Sequence, residues 1–250
     1  MRRMNIFNCP MDVATMDEMV CWISDRVRQR IFTQHVVVNV AKIVNMRSDR
    51  RLADSVRNCD VINIDGMGVV WAARILGYDV PERVAGIDLF SNLIAKSEEE
   101  GLPVFFLGGT QAVVEKTGEI LAKGYPKLQI AGLHHGYFEE NEEAVVNQIA
   151  RSGARLLFVA ISSPKKEIFI DRWKDKLGVN FVMGVGGTFD VIAGQVRRAP
   201  LWMQKSGLEW LFRVIQEPRR MWKRYLITNC KFSVMLLRER MMTLFKPTLG

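Results

Sequence analysis

Short apolar runs bounded by turn residues recur along the chain, and between them hydrophobic positions return every three or four residues. Val36-Val37-Val38-Asn39-Val40, Val61 to Ile64, and residues 103–107, 128–133, 156–161 and 180–185 show the near-continuous hydrophobicity of strands buried on both faces. Residues 4–34 predict a strand and a helix, with Thr15 as N-cap and Met19, Val20, Ile23 and Val27 on one face. Further helices are predicted over 41–58, 69–76, 88–100, 111–123 and 139–151, and residues 74–86 read as loop. Thr110 caps the fourth of these, and Ser162-Ser163-Pro164 opens a later one, with serine as cap and proline in its first turn. Strand and helix alternate throughout, which predicts an α/β fold with a mostly parallel sheet and helices on both faces.

The polar exceptions cluster where these strands end. Asn39, Asp65, Gly108, Gly109, His135, Tyr137, Ser163, Gly186, Gly187 and Asp190 all fall at or just beyond predicted C-terminal strand ends. In one parallel sheet those ends share an edge, where ligands of open α/β sheets bind. Each residue also has a plainer reading. Asp65 can cap the helix after it, paired glycines are commonly turns, Tyr137 can be a packing residue, and His134 and His135 can be loop histidines. Lys165 and Lys166 suit either a solvated helix start or a basic turn holding a diphosphate. The Gly108-Gly109-Thr110 turn lacks the third glycine of a dinucleotide fingerprint, and the next strand runs into His134-His135-Gly136-Tyr137 rather than a ribose-binding acid. Nicotinamide chemistry is therefore not expected.

Composition narrows the partners. With 250 residues, 48% of them hydrophobic, the chain can bury a full core, and its formal charge of +8 calls for an acidic partner: nucleic acid, anionic lipid or a phosphorylated substrate. The charge is concentrated after Arg197. Arg197, Arg198, Lys205, Arg213, Arg219, Arg220, Lys223, Arg224, Lys231, Arg238 and Arg240 stand there against Glu209, Glu217 and Glu239, interleaved with Trp202, Trp210, Trp222 and Tyr225. Basic amphipathic helices with tryptophans suit an anionic bilayer surface. Packing on the core or on a second copy of the chain is the alternative, and no nucleic-acid motif accompanies the charge. The expected division is a catalytic core over 1–196 and a basic helical appendage over 197–250. No signal-peptide pattern and no uncharged run of membrane-span length is present, so a chain neither secreted nor threaded through a bilayer is expected. Cys9, Cys21, Cys59 and Cys230 show no metal-ligand spacing, and reduced, mostly buried thiols in a cytoplasmic setting are expected.

From about His35 to Tyr225 the chain resembles the WecG/TagA/CpsF family of bacterial glycosyltransferases. The resemblance is carried by Asp65-Gly66-Met67-Gly68-Val69-Val70-Trp71-Ala72, Glu82-Arg83-Val84-Ala85-Gly86, Phe106-Leu107-Gly108-Gly109 and His135-Gly136-Tyr137-Phe138. It continues through Ser163-Pro164-Lys165, residues 184–190 and the stretches Arg197-Arg198-Ala199-Pro200 and Gln216-Glu217-Pro218-Arg219-Arg220. It implies a Rossmann-like core with a membrane-associating appendage. The implied activity is inverting transfer of a sugar (N-acetylmannosamine, its uronic acid or glucose) from a UDP-sugar to a polyprenyl-diphosphate-linked saccharide, in bacterial surface polysaccharide biosynthesis on the inner face of the cytoplasmic membrane. Asp65 would then be the general base, with Asn39 and Arg83 near the reacting sugar and phosphates. Tyr137, Gly186, Gly187 and Asp190 would hold UDP, and Gly108, Gly109, His135, Ser163 and Lys166 complete the candidate donor site. Arg213, Arg220, Lys223 and Arg224 are the candidates for membrane and acceptor. The family usually has threonine where Val37 stands and glutamine where Lys166 stands.

Inverting transfer needs one carboxylate to take the acceptor proton, which suits Asp65. No Asp-x-Asp pair is present, so neither metal nor cofactor is expected, and arginines and backbone N–H groups would meet the leaving charge. The competing expectation is a non-catalytic membrane or partner-binding module that keeps a nucleotide pocket, and the tail's apolar face could equally serve a homo-oligomer.

Overall fold

The structure, a computed structural model, describes residues 1–244, leaving aside the side chains of Arg220, Thr243 and Leu244. Its centre is a parallel sheet of six strands: β3 (Thr33–Val38), β4 (Val61–Ile64), β5 (Val104–Gly108), β6 (Ile130–His134), β7 (Leu156–Ala160) and β8 (Phe181–Gly184), in the order β4-β3-β8-β7-β5-β6. All neighbours in it run parallel. Residues on alternate positions face opposite layers, as the pleat requires. Phe106 and Phe158 join a core with α1 (Met16–Arg28), α5 (Gly86–Glu100) and α6 (Gln111–Gly124), where Ile23, Phe90 and Val114 are buried. On the other face Val38, Ile62 and Ile64 pack with α2 (Val40–Asn45), α3 (Arg50–Arg57) and α4 (Met67–Ile75). Leu107, Leu157 and Val182 pack there with α7 (Glu142–Arg151) and α8 (Lys165–Trp173).

Three local expectations change. Residues 4–34 hold not one strand but an antiparallel hairpin, β1 (Arg2–Ile6) and β2 (Cys9–Val13), before α1. Phe7 and Asn8 turn it with positive φ, and Asp12 Oδ2 accepts the Ile62 N–H at 2.8 Å, so β2 anchors on β4. The single helix expected over 41–58 is two, because Asp49 caps a new helix by accepting the Leu52 N–H at 3.0 Å. Ser163 does not cap α8: Pro164 occupies the cap position after a cis Ser163–Pro164 bond, with no side-chain cap. Thr15 does cap α1, and with Glu18 it forms a full capping box. Thr110 caps α6. Cys9 and Cys59 are buried and Cys21 and Cys230 exposed, so the thiols divide evenly.

After β8 a short helix, α9 (Thr188–Ile192), leads to α10 (Leu201–Lys205), α11 (Glu209–Gln216) and the long α12 (Pro218–Leu244). Met221, Thr228 and Phe232 form the buried face of α12, and Phe232 meets Phe7 of the hairpin edge-to-face at 5.1 Å. Among the described residues no helix is long and apolar enough to cross a membrane.

Candidate active site

The C-terminal ends of the six strands bring the candidate residues to one edge. β3 hands over to α2 at Asn39, whose Oδ1 accepts the Lys42 N–H at 3.0 Å, so this side chain spends one acceptor on capping. β4 hands over at Asp65-Gly66. A Cβ on Gly66 would stand 3.2 Å from Asn39 Cβ, so glycine lets the two strand ends close together. The capping reading fails for Asp65: the cap residue of α4 is Gly66, without a side-chain bond. The carboxylate instead turns to the start of α5, where its Oδ1 accepts the Gly86 N–H at 3.4 Å.

Charges surround Asp65. The 76–85 loop returns to β4 through the Val84 N–H and the Ile64 carbonyl, 3.0 Å apart, and this sets Arg83 beside the carboxylate. Burial pushes the Asp65 carboxyl above the ordinary carboxylate range; Arg83 opposes the rise, Glu209 adds to it, and the Gly86 N–H and Arg213 oppose it. Arg83 donates to Glu209 on α11. Arg198 donates to both oxygens of Asp88, at 2.7 Å each, tying the segment after α9 to α5. Arg213, also on α11, lines a recess with Gly187, Asp190 and Glu217. The tail thus supplies side chains to the crevice rather than merely lying beside it.

Two further groups complete the edge. Lys166, buried at the start of α8, runs beneath the Gly186-Gly187 turn, with its Nζ 3.5 Å from where a Gly186 Cβ would stand. At the far end the Gly136 N–H donates to the Gly109 carbonyl at 2.8 Å, which docks His135-Gly136-Tyr137 onto the Gly108-Gly109 turn. Gly108 has φ +131°, and a Cβ there would come within 2.4 Å of the Ala160 carbonyl oxygen, so only glycine fits. His135 Nδ1 accepts the Tyr137 N–H at 3.1 Å, and Tyr137 is 73% exposed, with its ring 6.4 Å from that of His135, so it is not a packing residue of the core. Ser163 is exposed on the loop after β7. Among the described residues no group of three or more His, Cys, Asp or Glu stands together as metal ligands would.

The model for the family described as Glycosyl transferase WecG/TagA/CpsF family matches residues 4–245. The chain belongs to this family. A curated relative from Bacillus spizizenii, the N-acetylglucosaminyldiphosphoundecaprenol N-acetyl-beta-D-mannosaminyltransferase, is 35% identical over 183 residues, 73% of this chain and 70% of the relative. The protein is therefore a glycosyltransferase, and the match takes in the N-terminal hairpin and α12 as well as the stretch from His35 to Tyr225.

Along the strand-end edge, Asn39, Asp65, Arg83, Lys166, Gly186 and Gly187 gather on the adjoining ends of β4, β3 and β8, joined by Arg213. Gly108, Gly109, His135 and Tyr137 form a second group at β5 and β6. Five inter-strand steps of about 4.8 Å separate the axes of β4 and β6, the two outermost strands. Lys223 and Arg224 are exposed on α12, and the side chain of Arg220 lies outside the described residues. Sequence reading missed Lys42, Glu167 and Glu209 as members of the crevice. Lys42 left one signal, a charge inside the apolar run Val40-Ala41-Lys42-Ile43-Val44.

Proposed function

We propose that the enzyme transfers an N-acetylmannosamine-type sugar, with inversion and without a metal, from a UDP-sugar to a polyprenyl-diphosphate-linked sugar. The observation that carries this reading is Asp65: a half-buried carboxylate at a strand end that does not cap the helix after it and is faced by Arg83 and Arg213. The class of sugar and acceptor follows the N-acetylmannosaminyltransferase relative from Bacillus spizizenii.

The donor lies along the strand-end edge, with uracil at the exposed Tyr137 and His135 and the sugar toward Asp65. Asp65 takes the proton from the acceptor hydroxyl as that oxygen bonds to the anomeric carbon from the face opposite the diphosphate. The bond to the diphosphate breaks and UDP leaves with its electron pair, its charge met by fixed cations rather than by an ion. Holding the carboxyl above the ordinary range makes it a better proton acceptor once ionised.

The acceptor comes from a membrane surface, and α12 suits contact with one. Trp222, Leu226, Leu237 and Met241 are exposed on a stripe away from the buried face, and Arg224, Lys231 and Arg238 follow at seven-residue intervals beside it. Such a helix lies on a bilayer without crossing it, on the inner face where UDP-sugars are made available. A panel of UDP-sugars offered with a short polyprenyl-diphosphate-linked N-acetylglucosamine, with chelator present, tests the whole reading. Transfer from UDP-N-acetylmannosamine with a β-linked product is expected; no transfer from any donor overturns it, and transfer lost to chelator overturns the metal-free part.

A further inference from the structure

Three charges are buried where the crevice meets the helices beneath it. Lys42 Nζ on α2 donates to Glu167 Oε1 on α8 at 2.7 Å, with side chains 7% and 2% exposed. Lys166 Nζ stands 3.5 Å from the same oxygen, its side chain 10% exposed, and among the described residues Glu167 Oε2 has no side-chain partner. Two ammonium groups thus share one carboxylate oxygen, leaving a net positive charge away from water. Such a charge is costly to bury unless an anion meets it.

The glycines show where this charge is delivered. The Lys166 stem lies flat across the end of β8, where a Cβ on Gly184 would come within 2.9 Å of its Cδ and Cε, and its Nζ reaches the Gly186-Gly187 turn. A lysine that only snorkelled would carry its head out to water. This one ends beneath a glycine turn, midway along the edge between Tyr137 at β6 and Asp65 at β4.

We propose that Lys166 is the counter-charge for the donor's diphosphate, and that Glu167 and Lys42 are positioning residues that hold it at the Gly186-Gly187 turn. This rests on the reading of the crevice as a nucleotide-sugar site, and it assigns one residue to one part of the donor. When the anomeric carbon–oxygen bond breaks, the electron pair stays on the terminal phosphate oxygen of UDP, and the Lys166 N–H groups donate to that diphosphate while Asp65 holds the acceptor's proton. Burial pulls the Lys166 ammonium down to about 8; Lys42 adds to that fall, while Glu167 on α8 and Asp65 at the end of β4 oppose it. UDP therefore binds best below that pH and draws a proton onto the amine above it.

The test is calorimetric titration of the full chain with UDP and, by competition, with uridine, at pH about 7 and about 9. Lys166→Gln, which keeps a polar stem without the charge, is expected to weaken UDP binding by about tenfold to a hundredfold, the scale of one charge-assisted hydrogen bond. It should leave uridine binding unchanged and remove the loss of UDP affinity between the two pH values. Should the variant not fold, the wild-type chain carries the test through reductive methylation read by mass spectrometry: UDP, and not uridine, should protect the Lys166 amine. UDP affinity within about twofold of wild type in the folded variant, an equal loss for uridine, or methylation indifferent to UDP overturns the role of Lys166. A wild-type chain that binds neither UDP nor uridine instead overturns the nucleotide site on which the role depends.

Discussion

Asp65 is set apart at the residue scale by what it does not do. Strand-end aspartates commonly cap the next helix, yet here Gly66 holds the cap position and the carboxylate faces Gly86 and Arg83. Asp65→Asn should therefore keep UDP affinity and lose at least about a hundredfold in kcat, the usual scale for removing a general base. Steady-state turnover with the best donor checks this, and full activity in the variant would remove Asp65 from the chemistry. The raised carboxyl also sets the sign of the pH dependence. A base works when ionised, so kcat/KM should fall as pH drops through a value above the ordinary carboxylate range of about 4, and the Asp65→Asn remnant should lack that limb. Asp65 was legible in sequence as the first polar residue after four buried strand residues. Its neighbours Glu209 and Arg213 were legible only as members of a charged tail.

Helices and strands are joined at this edge by contacts that no single element predicts. The Lys42–Glu167 pair links α2 to α8 across 125 positions of sequence, and Arg83–Glu209 links the loop before α5 to α11 across 126. Burial alone would push the Glu167 carboxyl up, but Lys42 and Lys166 hold it at about 2. Because that value is depressed, the pair's contribution is fully present above the unfolded carboxylate value of about 4.3 and is lost as pH falls toward about 2. Lys42→Met should cost about 3 kcal/mol in urea unfolding, since it leaves the Glu167 carboxylate buried with only the looser Lys166 contact. A loss under about 1 kcal/mol would mean that Lys166 moves in to replace it. The turn after β5 makes a sharper demand. Gly108→Ala places a Cβ against the Ala160 backbone at a φ of +131°, and should lower soluble yield or cost several kcal/mol in the same assay, about 3 or more.

For the whole molecule, the concentration of charge after Arg197 matters more than its total. The tail closes on the crevice with one helix, α11, and turns an apolar stripe with a basic ridge outward on another, α12. One segment thereby links the crevice to an exposed apolar and basic helix face. Replacing Lys223 and Arg224 with glutamate should abolish flotation with anionic vesicles at low salt. Wild-type binding should weaken between about 0.1 and 0.5 M salt, as the Debye length shrinks from about 10 Å. Vesicle binding unchanged in the double variant would remove Lys223 and Arg224 from any membrane contact.

By itself the sequence determined the alternation of elements, the parallel sheet and the edge where its polar exceptions meet. These rest on burial periodicity, which a few adjacent residues express and which the hydrophobic effect enforces locally. Tertiary structure decided which charges face one another. It assigned capping to Asn39 rather than Asp65, and delivered Lys42, Glu167, Glu209 and Arg213 to the crevice. Charge pairing across more than a hundred residues leaves no local pattern, because the low-dielectric site that makes such a pair matter exists only once the chain has folded around it.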